Sequence, residues 1–279
     1  MKEKPFSKYQ ILANADMIIW TLAIILPFIL LFMSSITDEN TLVANGYSFF
    51  PKKFSLASYS YIIKSGGQIL KAYGVSIGVT VVGTLLNVLL SALMAYPLSV
   101  KNLPGRNVMM FFVFFTMLFN GGIVPSYIMW TGTFHIKDTI FAQLLPNFLL
   151  SAWNVMMIRT YFTTSIPDGL YEAAEIDGAS QFTIFWKIVL PLGKPILVTM
   201  GTFAGLAYWN DWTNGLYYIV KNTGLYNVQN LLNQMVQNIQ FLTQSSNSNV
   251  TAAASTIPAT GIQMAIAFVA VSYTHLRYR

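Results

Sequence analysis

The chain alternates long uncharged apolar runs with polar segments, and the runs have the length of membrane-crossing helices. The first, Met17 to Ile36, carries no charge. It follows a tail with Lys2, Lys4 and Lys8 and leads into Thr37, Asp38 and Glu39. A secretory signal has a shorter apolar core and a small-residue cleavage site, so an uncleaved first span is predicted. Pro27 sits inside it, where lipid-embedded helices tolerate proline. A long polar and aromatic segment over 37–68 leaves room for a short surface helix around Ser58 to Lys64. Further spans are predicted at about Val75–Leu98, Val108–Trp130, Ile140–Ile158 and Ile196–Val220. The third is interrupted by Asn120, Gly121, Gly122 and Pro125, and such a break must be buried in protein or line a cavity. Residues 221–256 are rich in amides and hydroxyls, with an amphipathic stretch at Val228–Ile239. A last apolar run extends from Ile257 to Val271.

The expected fold class is therefore an all-α polytopic membrane protein with six transmembrane helices, the last cut short. Residues 1–16 form a cytoplasmic tail, 17–271 the transmembrane domain and 272–279 an atypical tail. The final run holds Pro258 and Gly261 and falls short of the roughly 20 residues that a span needs, so truncation or a frame change near residue 271 is expected.

Composition strengthens this picture. Of 279 residues, 54% are hydrophobic and 9% charged, against about 25% charged in soluble domains. The formal net charge is +6, but the basic residues are scattered, without the dense run or stripe that nucleic acid requires. With both termini in the cytoplasm, Lys101, Arg106, Arg159, Lys187 and Lys194 fall inside, as the positive-inside rule favours, whereas Lys52, Lys53 and Lys64 fall outside. There is no cysteine. His135 and His275 lack the clustered partners of a metal or catalytic site.

The polar segment 165–191 separates the fourth and fifth spans. Ser165 and Asp168 have capping-box spacing with Pro167 in the first turn, and Gly178 can supply the left-handed residue that ends a helix. Leu170, Ala173, Ala174 and Asp177 would share a face. A second helix can start at Ser180, with Phe182, Phe185, Trp186 and Val189 at helical spacing, and Pro191 would stop it. A helix presenting two alanines beside Glu172 and Glu175 suits a groove, and equally suits a solvated surface at the headgroups.

The order Glu172, Ala173, Ala174, Gly178, Ile188, Leu190, Pro191 resembles, at each named position, the EAA signature of bacterial ABC importer membrane subunits. The fuller string EAAEIDGASQFTIFWKIVLPLGKPIL is similar to the carbohydrate branch, the maltose-permease type. Resemblance also covers the FFPKKFSL loop and the AYWNDW stretch. It implies a six-span permease subunit that pairs with a second, homologous permease, docks on a dimer of cytoplasmic ATPases and receives solute from an extracytoplasmic binding protein. The segment 165–191 would be the coupling segment, with Glu172, Ala173, Ala174, Asp177, Gly178, Ile188, Leu190 and Pro191 as its elements. No phosphate-binding glycine loop of the P-loop type occurs, so no cofactor is expected on this chain and ATP belongs to the partner ATPase.

Asp211 is the acid deep in the predicted fifth span, flanked by Trp209, Asn210 and Trp212. An ionised group there is costly and marks a functional-site candidate. Aromatics that stack on sugar rings and amides that bind hydroxyls would suit a transport path; packing inside the bundle explains the same residues. Asn120, Gly121 and Gly122 are a second path candidate against a plain kink. Asn87 and Asn147 fit interhelical hydrogen bonds. A secondary transporter would show paired intramembrane ionisable groups or repeats, and a membrane enzyme would show a catalytic constellation. An amino-acid or peptide permease stays the nearest alternative.

Overall fold

The computed structural model describes residues 8–64, 66–244, 260–266 and 268. The predicted tail 272–279, and much of the final run from Ile257, lie outside the described residues. The described residues are helices joined by turns, with one isolated antiparallel bridge between Thr37 and Phe54 and no strand. The chain divides into two compact units, residues 1–69 with 232–279, and residues 70–231.

In the first unit, α1 (Lys8–Ser35) passes through Pro27 as one helix, so residues 8–16 of the expected tail are helical. Ile18, Trp20, Leu22 and Ile24 on α1 are all more than half exposed. A helix apolar on all sides and left unburied is matched to lipid. Two short helices follow, α2 (Glu39–Asn45) and α3 (Ala57–Lys64). The Glu39 carboxylate accepts the backbone N–H groups of Thr260 and Gly261, each at 2.8 Å. These are the orphan donors at the start of the helix at 260–266, and an acid is the natural partner for them.

The second unit is built on α4 (Gly66–Ser99). Its buried face reads Ala72, Ser76, Thr80, Gly83, Asn87, Ser91, Ala95, while Leu70, Ile77, Val81 and Leu85 are more than half exposed. Small residues inside and large apolar residues outside are the arrangement expected where lipid, not water, is the solvent. Then come α5 (Arg106–Leu118) and α6 (Ile123–Ile128), the latter prolonged by a π turn over Met129–Thr133; the pair meets at 110°. The break falls at the expected Asn120–Gly122, where Asn120 Oδ1 accepts the Gly122 N–H at 2.9 Å. Next are α7 (Phe141–Leu144), α8 (Ala152–Ser165) and α9 (Asp168–Ile176). A composite helix of α10 (Gln181–Ile184), a π stretch over Phe185–Val189 and α11 (Leu190–Leu192) bends by 78° into α12 (Lys194–Trp209). Finally there are α13 (Thr213–Tyr218) and the start of α14 (Val228–Gln244), whose residues from 232 on belong to the first unit.

Besides the expected break at Asn120–Gly122, two further predicted spans are interrupted. Ile140–Ile158 breaks because Pro146 carries no N–H to donate and Asn147 takes a left-handed φ of 68°. The helix restarts only at Ala152. Ile196–Val220 breaks after Trp209. Two helices, α1 from Leu12 onward and α4, are long and apolar enough to cross a membrane, or up to four if each bent pair is one span.

Packing in this unit relies on buried amides and close approach. The Tyr208 ring covers Gly83, where an added Cβ would lie 2.5 Å from it, and the Tyr208 hydroxyl donates to the Leu144 carbonyl at 2.9 Å. Asn87 Nδ2 donates to the Phe148 carbonyl at 2.6 Å, and Asn87 Oδ1 accepts from Asn154 at 2.8 Å. Replacing Asn87 by Leu strands both partners in the interior, a cost of about 1–3 kcal/mol. Asn87→Leu should lower the thermal unfolding midpoint in detergent, whereas Leu85→Ala on the exposed face should leave it nearly unchanged.

Candidate functional site

The polar segment after α8 is shaped by local chemistry at each joint. Ser165 is the last residue of α8 rather than a cap, and no capping box forms with Asp168. Ile166 is buried and extended, and Pro167 is the N-cap of α9 instead of lying in its first turn. A residue preceding proline is biased to extended geometry, which separates the two helices here. At the other end, Gly178 has φ of 75°. The Gly178 N–H bonds the Glu175 carbonyl at 3.0 Å and the Ala179 N–H bonds the Ala174 carbonyl at 2.9 Å. This is a Schellman closure. No atom lies within 4 Å of a Cβ built on Gly178, so the demand there is conformational rather than steric. Ser180 then caps α10 by accepting the Thr183 N–H at 3.3 Å.

Pro191 does not stop the second helix, contrary to expectation. The Leu190 N–H reaches the Phe185 carbonyl five residues back, and this widened turn carries the ladder past the proline, which then needs no donor. The direction changes at Gly193. A Cβ there would stand 2.5 Å from the Phe162 ring and 2.9 Å from the Val189 carbonyl oxygen. Sequence reading passed over Gly193, although a glycine before Lys194 and Pro195 is a legible joint.

The faces of α9 also differ from the expected ones. Ala174 is buried against a core that includes Tyr96, Ile158, Phe162, Ile184 and Phe185. It therefore lies inside, not on the outward face with Ala173. Glu172, Ala173, Ile176 and Asp177 form the exposed face, where Ile176 is 86% exposed. Phe182 on α10 is exposed as well. Ile188 and Leu190 are half-buried and pack on the same core, and Pro191 is exposed. Tyr96 and Gln181, unremarked in the sequence, and Lys101, expected only as an inside-facing charge, contact the segment: Lys101 pairs with Asp168 at the start of α9, and Gln181 bonds Tyr96 and Glu175.

The other candidate cluster separates into inward and outward parts. Asp211 is buried in the break after α12 and is not within a span. Its Oδ1 accepts the backbone N–H groups of Thr213 (2.9 Å) and Asn214 (3.2 Å), which caps α13. Its carbonyl accepts Asn227 Nδ2. Asn227 also donates to Gln143 at 3.1 Å, Asn214 Nδ2 donates to the Pro146 carbonyl at 3.1 Å, and Asn230 Nδ2 donates to the Trp212 carbonyl at 2.7 Å. These contacts serve the backbone of broken helices, whereas the second carboxylate oxygen of Asp211, Oδ2, is buried without a hydrogen-bond partner among the described residues. Asn210 and Trp212 are exposed, Trp209 is half-buried, and Asn120, Gly121 and Gly122 are exposed.

A further joint lies in the 134–140 loop. Asp138 Oδ1 accepts the N–H groups of Val220 and Lys221 at 2.7 Å and of Asn222 at 3.2 Å. The hydrogen bonds from Lys221 and then Val220 hold its carboxyl below the ordinary value.

Long apolar helices, bent pairs and amide-capped joints are the features of a multi-pass membrane protein. The chain belongs to the family of binding-protein-dependent transport system inner membrane components, whose profile matches residues 72–276. It is a component of the cytoplasmic membrane, and membership implies that it works with a binding protein. It is 35% identical over 246 residues to the protein LplC of Bacillus subtilis (strain 168), covering 88% of this chain and 81% of that protein. It is 36% identical over 228 residues to the polygalacturonan/rhamnogalacturonan transport system permease protein YtcP of the same organism, covering 82% and 78%. The crystal structure of a bacterial ABC transporter involved in the import of the acidic polysaccharide alginate contains a chain that superposes with a TM-score of 0.79 at 24% identity, covering 99% of this chain and 97% of that one. That likeness shows the fold. Together these findings make the chain a permease subunit of an ABC importer.

The two glycine joints predict separable effects. Gly178→Ala forces a left-handed alanine, costing roughly 1–2 kcal/mol, whereas Gly193→Ala adds overpacking of about 1–3 kcal/mol against Phe162. Thermal unfolding should show both losses, and only the Gly193 loss should be relieved by Phe162→Leu. The Asp138 clasp should be fully present above the ordinary carboxylate range and lost as pH falls through the lowered folded value. Amide exchange at Lys221 should accelerate in that acid range, and in Asp138→Ala it should be fast at neutral pH too.

Proposed function

We propose that this permease subunit imports a saccharide, pairing its six-span domain of residues 17–271 with a second, homologous permease subunit on a dimer of cytoplasmic ATPases. The observation that carries the coupling part is the outward face of α9. Glu172, Ala173, Ile176 and Asp177 stand exposed on a helix whose opposite side is fixed in the core by Ala174. An 86% exposed isoleucine among acids is suited to a protein groove with an apolar floor and basic rim. The ATPases hydrolyse ATP, and α9 with the composite helix behind it passes their closure to the spans. Solute is delivered by an extracytoplasmic binding protein. The saccharide assignment is supported by relatives whose names specify polygalacturonan/rhamnogalacturonan, arabinooligosaccharides and diacetylchitobiose. Asn210, Trp212 and the opened backbone at Asn120–Gly122 are the exposed groups of this chain suited to sugar hydroxyls and rings, with Trp209 behind them and Asp211 as the buried brace.

Ile176→Asp and Glu172→Lys should each reduce the ATPase recovered with purified membranes roughly tenfold or more, as for loss of an interface anchor, while the subunit itself inserts normally. Uptake of radiolabelled oligogalacturonide should stop in both. Unchanged ATPase recovery in both variants would return α9 to a solvated surface helix.

A further inference from the structure

The exposed face of α9 can transmit force only if the helix is fixed to the spans behind it. Its own connections are turns: Ile166–Pro167 before it and Asp177–Ala179 after it. The Lys101–Asp168 pair is more than half exposed on both sides, and such pairs contribute little. Ala174 is buried in the core and the Tyr171 ring of α9 stacks on Tyr96 of α4, contacts that can slide, and a directional polar contact also crosses from α9 to α4 through one side chain. Gln181 Nε2 donates to Glu175 Oε1 at 2.8 Å, and Gln181 Oε1 accepts the Tyr96 hydroxyl at 2.5 Å. Tyr96 is buried near the end of α4, with its ring 5.4 Å from Phe185 and 6.5 Å from Tyr171. One end of the chain of contacts is therefore locked in the core, and the other is a carboxylate on α9 itself.

We propose that Gln181 is the positioning residue that makes α9 and the end of α4 move as one body, by bridging the Glu175 carboxylate and the Tyr96 hydroxyl. This rests on the reading of α9 as the ATPase contact. The chemistry selects an amide at this position. Glu175 needs a donor and Tyr96, as donor, needs an acceptor; a carboxamide supplies both from one carbon. The carboxylate also fixes the orientation of the amide, since the flipped form would set two oxygens against each other. Loss of the bridge leaves the buried Tyr96 hydroxyl without this acceptor, which favours a different placement of the helix pair.

The test uses the subunit purified with its partner permease and ATPases in nanodiscs. The chain has no cysteine, so spin labels at Leu93→Cys on α4 and Gly169→Cys on α9 report a single distance. Both side chains are exposed, and a Cβ at Gly169 meets nothing within 4 Å. The parent should give one narrow distance that is the same without nucleotide and with ATP plus vanadate. Tyr96→Phe and Gln181→Glu should each lose that single distance and become nucleotide-dependent. The exchange Glu175→Gln with Gln181→Glu recreates a donor facing a carboxylate that still accepts from Tyr96, and it should restore the narrow distance. Gln181 is exposed, so its replacement does not endanger the fold. A narrow distance retained in both single variants, or an exchange that fails to restore it, overturns the role of Gln181. ATPase recovery in the Glu172→Lys complex is measured alongside; if it is unchanged, the coupling reading fails while the distance test still decides Gln181.

Discussion

The structure depends on one constraint: in lipid, every backbone group freed by a broken helix must find a partner inside the protein. The breaks are numerous here, and several are met by a polar side chain. Asp211 caps the restart at Thr213 and Asn214. Asn214 takes the Pro146 carbonyl, and Asn87 takes that of Phe148. Glu39 holds the N–H groups of Thr260 and Gly261, and Asp138 gathers those at Val220, Lys221 and Asn222. The scarce acids of this chain are therefore concentrated where helices begin or turn, because an ionised oxygen is the strongest acceptor available for orphan donors.

The buried carboxylate of Asp211 is one of these braces through Oδ1, while its Oδ2 has no hydrogen-bond partner among the described residues. Asp211 has the burial and the aromatic flanks of a ligand site, yet its contacts are to the backbone of the next helix and to Asn227. The groups that remain open, Asn210, Trp212 and the glycines at Gly121 and Gly122, are neutral. On the proposed saccharide reading, neutral groups would bind hydroxyl-rich solutes without dehydrating a charge.

Much of the fold was legible because lipid imposes it directly. The uncharged run from Met17, the small-residue stripe of α4 and the break at Asn120–Gly122 all follow from length, spacing and punctuation. What escaped was long-range. Nothing local states that Ala174 packs on Phe162 and Phe185 while Ala173 does not, because helical spacing fixes relative faces and leaves their absolute direction to tertiary contacts. The composite helix beyond Ser180 escaped for a different reason: the π stretch at Phe185–Val189 accommodates Pro191, and a widened turn has no simple sequence mark. The ends of the predicted fourth and fifth spans were misjudged because mean apolarity runs on through Pro146 and Asp211, where side-chain capping, not hydropathy, decides where the helix stops.

The inward direction of Ala174 bears on how work is delivered. Ala174 belongs to the buried cluster that also holds Phe162 and Phe185, and a close-packed interior yields little before it shifts as a block. On the proposed coupling role of α9, a load at Ile176 would enter this cluster through Ala174. The Schellman closure at Gly178 keeps the next helix from swinging freely, and Gly193 seats that composite helix directly on Phe162. Phe162 thus lies under the composite helix, in the same buried cluster as Ala174, so both helices of the segment rest on one shared core, and the composite helix bends by 78° from that seat into α12.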